Sequence, residues 1–186
     1  MSEIVEGIGH ITDLEGYDHM LFLLALSAPF VFKDYKKLLL LATAFTVGHS
    51  LTLAASAMGV LRFNSDTIEL LITLSIAITA LLNFFIKDSK IYWWNYVIAI
   101  GFGLIHGMGF STYFRMMFSS DSDWLIKLFK FNLGVEIGQI LILSFILLVG
   151  YIVTGLFKVK QLYWMYALSG ISFLVAIRLI FDNLNQ

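Results

Sequence analysis

Every imidazole in this chain lies in, or at the mouth of, sequence otherwise suited to lipid. There are four, His10, His19, His49 and His106, and the carboxylates Asp18, Glu69 and Glu136 share their apolar surroundings. Ionisable groups in membrane spans are costly, so by default they mark a functional site. Imidazole and carboxylate together form a donor set for a divalent transition metal. With no cysteine in the chain, thiolate ligands, disulfides and thiol catalysis are excluded together. Seven such groups on several apolar segments read as one polyhedral metal site.

The elements that must position them are membrane helices. Hydrophobic residues make up 59% of the chain and charged residues 13%, with a mean hydropathy of +0.86. Soluble domains run at roughly 45–50% apolar and about 25% charged. A length of 186 residues gives about six spans of ~20 residues with short loops. The expectation is therefore an all-α polytopic membrane protein in a single domain, residues 1–186. A net charge of −1 and no dense basic cluster argue against nucleic acid as a partner. The N-terminal segment, 1–16, has Glu3, Glu6, Asp13 and Glu15 and no Lys or Arg. It lacks the basic n-region of a secretory signal and reads as the start of the mature chain.

Six apolar stretches follow, at about 17–32, 38–61, 66–86, 93–117, 128–157 and 163–181. The fifth exceeds a straight span and must tilt, kink or protrude. Lys33, Lys36, Lys37, Lys87, Lys90, Lys158 and Lys160 fall in the connections after spans one, three and five. Arg62, Arg115, Lys127 and Lys130 fall on the other side, where Asp121 and Asp123 offset several of them. The bias places the lysine side in the cytoplasm and both termini outside it, in a bacterial inner membrane. At ~1.5 Å per helical residue, His49 and His106 lie roughly 20 Å above the cytoplasmic boundary, and Glu136 roughly 14 Å below the outer one. All seven groups thus fall in the outer half of the bilayer or at its mouth.

Each motif has a structural reading beside the functional one. Asp18 suits the first turn of a helix, where the dipole favours it; His19, one residue on, points roughly 100° away, so one ligates while the other orients a ligand. His10 and His19 are too far apart along a continuous helix to share an ion, unless a break at Gly16 folds the His10 segment back over the entrance. His49, in Phe45–Leu53, could equally be hydrogen-bonding glue between helices. Ala99, Gly103 and Gly107 form a small-residue ridge beside His106, suited to close helix approach. Asn132, Glu136 and Gln139 share one helix face, and with no Lys or Arg at its depth Glu136 calls for a metal or a histidine as partner. Glu69 could face water, and Arg178 either snorkels or pairs with Asp182 one turn on, with no role assigned to it.

Taken together, GxxHxxxxxxxDHxLFLL (Gly7 to Leu24), FTxGHSLTL (Phe45 to Leu53), ExxIxxSI (Glu69 to Ile76), FGLxHGxGF (Phe102 to Phe110) and FNLGVExGQ (Phe131 to Gln139) resemble the HupE/UreJ family. These are small bacterial membrane proteins associated with nickel supply to hydrogenase and urease. The resemblance implies a nickel or cobalt permease, metalloenzyme-maturation partners, and His10, Asp18, His19, His49, His106 and Glu136 as the site. One departure is Leu82-Asn83, where relatives often have Glu-Asn. A short echo between Phe45–His49 and Phe131–Glu136 suggests two three-span halves of inverted sense, an arrangement many transporters use.

Three functions compete. A carrier for a divalent metal (nickel, cobalt or zinc) ranks first, with His10 guarding the entrance. A zinc hydrolase acting on an outer-leaflet lipid or lipoprotein ranks second; three histidines would hold the ion, Asp18 or Glu136 would serve as base, and Ser50 would assist. A metal-stabilised scaffold, alone or as a homo-oligomer, ranks third.

Overall fold

The fold is a computed structural model describing residues 2–14, 16–61, 64–85, 93–118 and 122–185. Glu15, Arg62, Asp121, the turn Lys87–Lys90 and the predicted end of the third span at Ile86 lie outside the described residues.

The described residues form seven α-helices and no strand: α1 (Glu3–Thr12), α2 (Asp18–Ser27), α3 (Tyr35–Ala57), α4 (Ser65–Asn83), α5 (Trp93–Phe118), α6 (Trp124–Tyr151) and α7 (Gln161–Leu184). Five of these, α3 to α7, are long and apolar enough to cross a membrane. The stretch 17–32, expected as a full span, is α-helical only over the ten residues of α2. Ten residues rise ~15 Å, half of a ~30 Å hydrocarbon core. The overlong fifth stretch ends in a π-helical turn, Ile152–Leu156, and Arg178 meets Asp182 at 3.7 Å, as the spacing predicts.

α1 and α2 together make one interrupted helix. Ile4 lies against Gly134 and Ile11 against Gly138, so α1 runs parallel to the first half of α6. Ser27, at the end of α2, shares a cavity wall with Ile146 and Gly150 of the second half of α6. The two short helices therefore follow each other in the same sense, and the interruption at residues 13–17 falls between them.

Glycine governs the closest helix contacts, and it does so twice in the same way. A Cβ on Gly103 of α5 would strike the Phe45 carbonyl and His49 amide of α3, and one on Gly48 the Ile100 carbonyl. A Cβ on Gly7 of α1 would strike the Phe131 carbonyl and Val135 amide of α6, and one on Gly134 the Ile4 carbonyl. One turn on, Thr52 donates to the Leu104 carbonyl at 2.9 Å, and Gly138 lies against the Ile8 carbonyl. The α1–α6 crossing thus repeats the α5–α3 crossing position by position. α3 meets α6 directly, and α4 packs against α7, α2 and α5. The units are α1–α2, α3, α4 and α5, α6, α7, and the interrupted helix is the counterpart of continuous α5.

The backbone contact at Gly103 gives a test. Gly103→Ala should cost about 1–3 kcal/mol as an overpacked contact and lower the melting temperature in detergent. Gly101→Ala, whose new Cβ meets nothing within 4 Å, should hold or raise it, since alanine is the better helix former by about 1 kcal/mol.

Candidate metal centre

The interruption between α1 and α2 brings together what a continuous helix would keep apart. His10 lies in the last turn of α1 and His19 in the first turn of α2, and their rings are 4.5 Å apart, centroid to centroid. His49, from the middle of α3, lies 5.5 Å from His10 and 5.8 Å from His19. His106, on α5, lies 5.0 Å from His19. One ligand atom each from His10, His19 and His49 fall within 4.8 Å of one another, and the same holds for Asp18, His19 and His106. His19 belongs to both groups and joins them.

The hydrogen bonds decide which nitrogens remain for an ion. Ser75 of α4 donates its one hydroxyl proton to the Ile72 carbonyl at 2.7 Å. At 3.0 Å from Ser75 Oγ, His106 Nε2 is therefore the donor, which leaves a lone pair on Nδ1. His19 donates from Nδ1 to Asp18 Oδ1 at 3.2 Å, which leaves a lone pair on its Nε2. A carboxylate or hydroxyl behind an imidazole in this way fixes tautomer and ring orientation for metal binding.

The nitrogens so exposed are buried and without a hydrogen-bond partner among the described residues: His10 Nε2, His19 Nε2, His106 Nδ1 and both nitrogens of His49. His49 and His106 are 0% exposed and His19 4%. An unsatisfied buried polar atom costs about 1–3 kcal/mol, and a neutral imidazole has one lone-pair nitrogen, so one lone pair from each of the four histidines fits a cation. The donor set of neutral imidazole plus carboxylate suits zinc, nickel, cobalt and copper alike. The C-terminal end of α1 adds partial negative charge at the same point.

One side of the cluster opens and the other is closed. A cavity of about 200 Å³ is lined by His10, Asp13, Asp18, His19, Glu69 and His106, with Gly16, Ile72, Gly109 and Phe110 completing its wall. On the opposite side Phe22 and Phe45 stack at 4.7 Å, and both rings abut His106, at 5.2 and 5.0 Å.

The residues expected in the site do not all meet. His10, Asp18, His19, His49 and His106 converge, and Glu69 joins them at the mouth. Glu136 stands apart from both ligand groups, with Thr43 of α3 beside its carboxylate. Its neighbour Gln139 meets Thr46 at 3.0 Å. Ser50 donates to the Thr46 carbonyl of its own helix at 2.6 Å. Ser75 was not singled out as a partner of His106: 31 residues separate them, and a serine in a span carries no local mark of what it faces.

A family model described as HupE / UreJ protein matches residues 1–181. No curated protein and no solved structure matches the chain.

Metal binding to the purified chain, read by titration calorimetry with zinc or nickel, tests the cluster. Asp18→Asn should weaken binding about 10–100-fold, the usual cost of losing a partner behind a ligand. His49→Ala should weaken it further, while Glu136→Gln leaves it within a few-fold of the parent. A His49→Ala protein that binds as tightly as the parent would remove His49 from the site.

Proposed function

The chain belongs to the HupE/UreJ family, and on that premise we propose that it is a membrane transporter of a divalent transition metal, carried as substrate, with nickel and cobalt ahead of zinc. The observation that carries the reading is the set of bare, buried imidazole nitrogens where the interrupted helix breaks. Carriers built from paired repeats bind their substrates at such breaks near the bilayer midplane. Asp13, Asp18 and Glu69 give the mouth a carboxylate wall that draws cations from water. His10, at the end of α1, receives the ion. His19 and His106, already oriented by Asp18 and Ser75, share it with His49. The Phe22–Phe45 stack closes the far side, so release requires these rings to part. This amounts to an outward-facing state, with the acidic mouth on the extracytoplasmic face of a bacterial inner membrane.

The zinc-hydrolase alternative needs a base or nucleophile beside the ion. Asp18 already accepts from His19, Glu136 lies outside both ligand groups and Ser50 donates to its own helix. Those engagements favour carriage over hydrolysis.

Sealed proteoliposomes holding a metal-sensitive dye provide the test. Nickel, cobalt or zinc should enter saturably with the parent chain, and His49→Ala should reduce the rate at least tenfold. Tight binding in detergent, together with uptake no faster than in protein-free vesicles for all three ions, would overturn the transport reading and leave a binding scaffold.

A further inference from the structure

The lysine-bearing end of the molecule holds a cavity that metal transport does not use. Its volume is about 290 Å³, and its lining includes Phe30, Lys33, Ile146, Leu147, Gln161 and Trp164. It exists because α2 is short. After Ser27 the chain continues through turns and a single 3₁₀ turn, Phe32–Asp34, so no helix fills the space below. Gln161, the first residue of α7, donates its amide to the Ala28 and Phe30 carbonyls at 3.3 and 3.2 Å. That contact ties down the backbone which a helix would otherwise have satisfied. The opposite wall is α6 as it runs into the widened π-helical turn, Ile152–Leu156.

Water fills such a space poorly. A water needs two to four polar partners, and the polar side chains of a lining otherwise rich in Phe, Val, Ile, Leu and Trp are largely engaged: Ser27, Thr154 and Gln161 give their donors to backbone carbonyls. In a bilayer the apolar filler at hand is an acyl chain. The charge beside the cavity selects the headgroup. Lys33 lines it, and Lys36, Lys158 and Lys160 are exposed at the same end. Lys37 is matched by an acid, Asp34, at 2.9 Å. At the other end Lys127 and Lys130 face Asp123 and Glu3 at 3.5 and 3.8 Å. The lysine end therefore carries an excess of cationic charge at headgroup level, where each basic residue attracts anionic lipid by about 1 kcal/mol.

We propose that this cavity binds one anionic phospholipid of the lysine-side leaflet, an acyl chain filling the apolar cleft beneath α2 and the phosphate resting against Lys33. The site is separate from the histidine cluster, and it stands whether or not the chain transports metal.

The test uses the full chain in detergent, with its melting temperature followed as defined lipids are added. Phosphatidylglycerol should raise it more than phosphatidylcholine of the same acyl chains. Lys33→Gln should lose most of that excess and Lys33→Arg should keep it, while Lys36→Gln, which alters the same end but not the cavity lining, should lose little. Equal stabilisation by the two lipids would overturn the proposal. So would full stabilisation by inorganic phosphate or by a short-chain phosphatidylglycerol, or a Lys36→Gln loss as large as that of Lys33→Gln.

Discussion

The rest of the structure depends on a shortage of hydrogen-bond partners. In a bilayer every polar group must find its partner inside the protein. Most here do so locally: Thr46, Ser50, Thr73 and Thr79 return their hydroxyls to carbonyls one turn back. The histidines do not. Their nitrogens face a space walled by Phe22, Phe45 and Phe110, and five of them have no hydrogen-bond partner among the described residues. The fold tolerates that deficit because glycine-lined crossings hold α3 against α5 and α1 against α6, and these leave the imidazoles no room to turn elsewhere.

The interrupted helix converts the deficit into a site with an entrance. A continuous helix from residue 3 to 27 would set His10 and His19 about two and a half turns apart and seal the outer face. The break folds them to within 4.5 Å and places Asp13 and Gly16 at the rim of the opening. The cavity at the other end has a separate origin, the early stop of α2 at Ser27. Access from one side and closure by aromatic rings on the other is the geometry on which the proposed carrier reading rests.

Much of this was legible in the sequence. Composition and span length gave an all-α membrane fold, and the ionisable residues in apolar segments gave four histidines and Asp18 of the cluster. The run of Leu and Phe over 17–32 is as apolar as a full span, and apolarity alone conceals that only ten residues are helical. The local mark of the stop is Pro29, the chain's one proline, which has no N–H to give and disfavours helix at Ala28; what the sequence could not show is that Gln161 then takes up the Ala28 and Phe30 carbonyls. The pairing of Ser75 with His106 was equally hidden, because two separate helices set it. Glu136 was legible as an anomaly and misleading as a ligand: depth alone put it level with the histidines, and depth does not say which way a side chain points.

The repeat explains where Glu136 went. The echo between Phe45–His49 and Phe131–Glu136 suggests by eye that the acid replaces the histidine. The contacts say otherwise. Gly7 meets Phe131 and Val135 as Gly103 meets Phe45 and His49, so the counterpart of His49 is Val135, and Glu136 is turned one residue, about 100°, around the helix. By the same correspondence His10 and His106 occupy equivalent places, one on the interrupted helix and one on the continuous one. A site that drew equally on both halves would have a second imidazole at Val135 and two unbroken helices, and it would be closed at both faces. The cluster is accessible because the halves differ: one keeps α5 whole and sets His106 beside Ser75, while the other breaks and leaves His10 at the end of a short segment at the cavity wall. On the proposed carrier reading, binding would draw on the similarity of the two halves and passage on their difference.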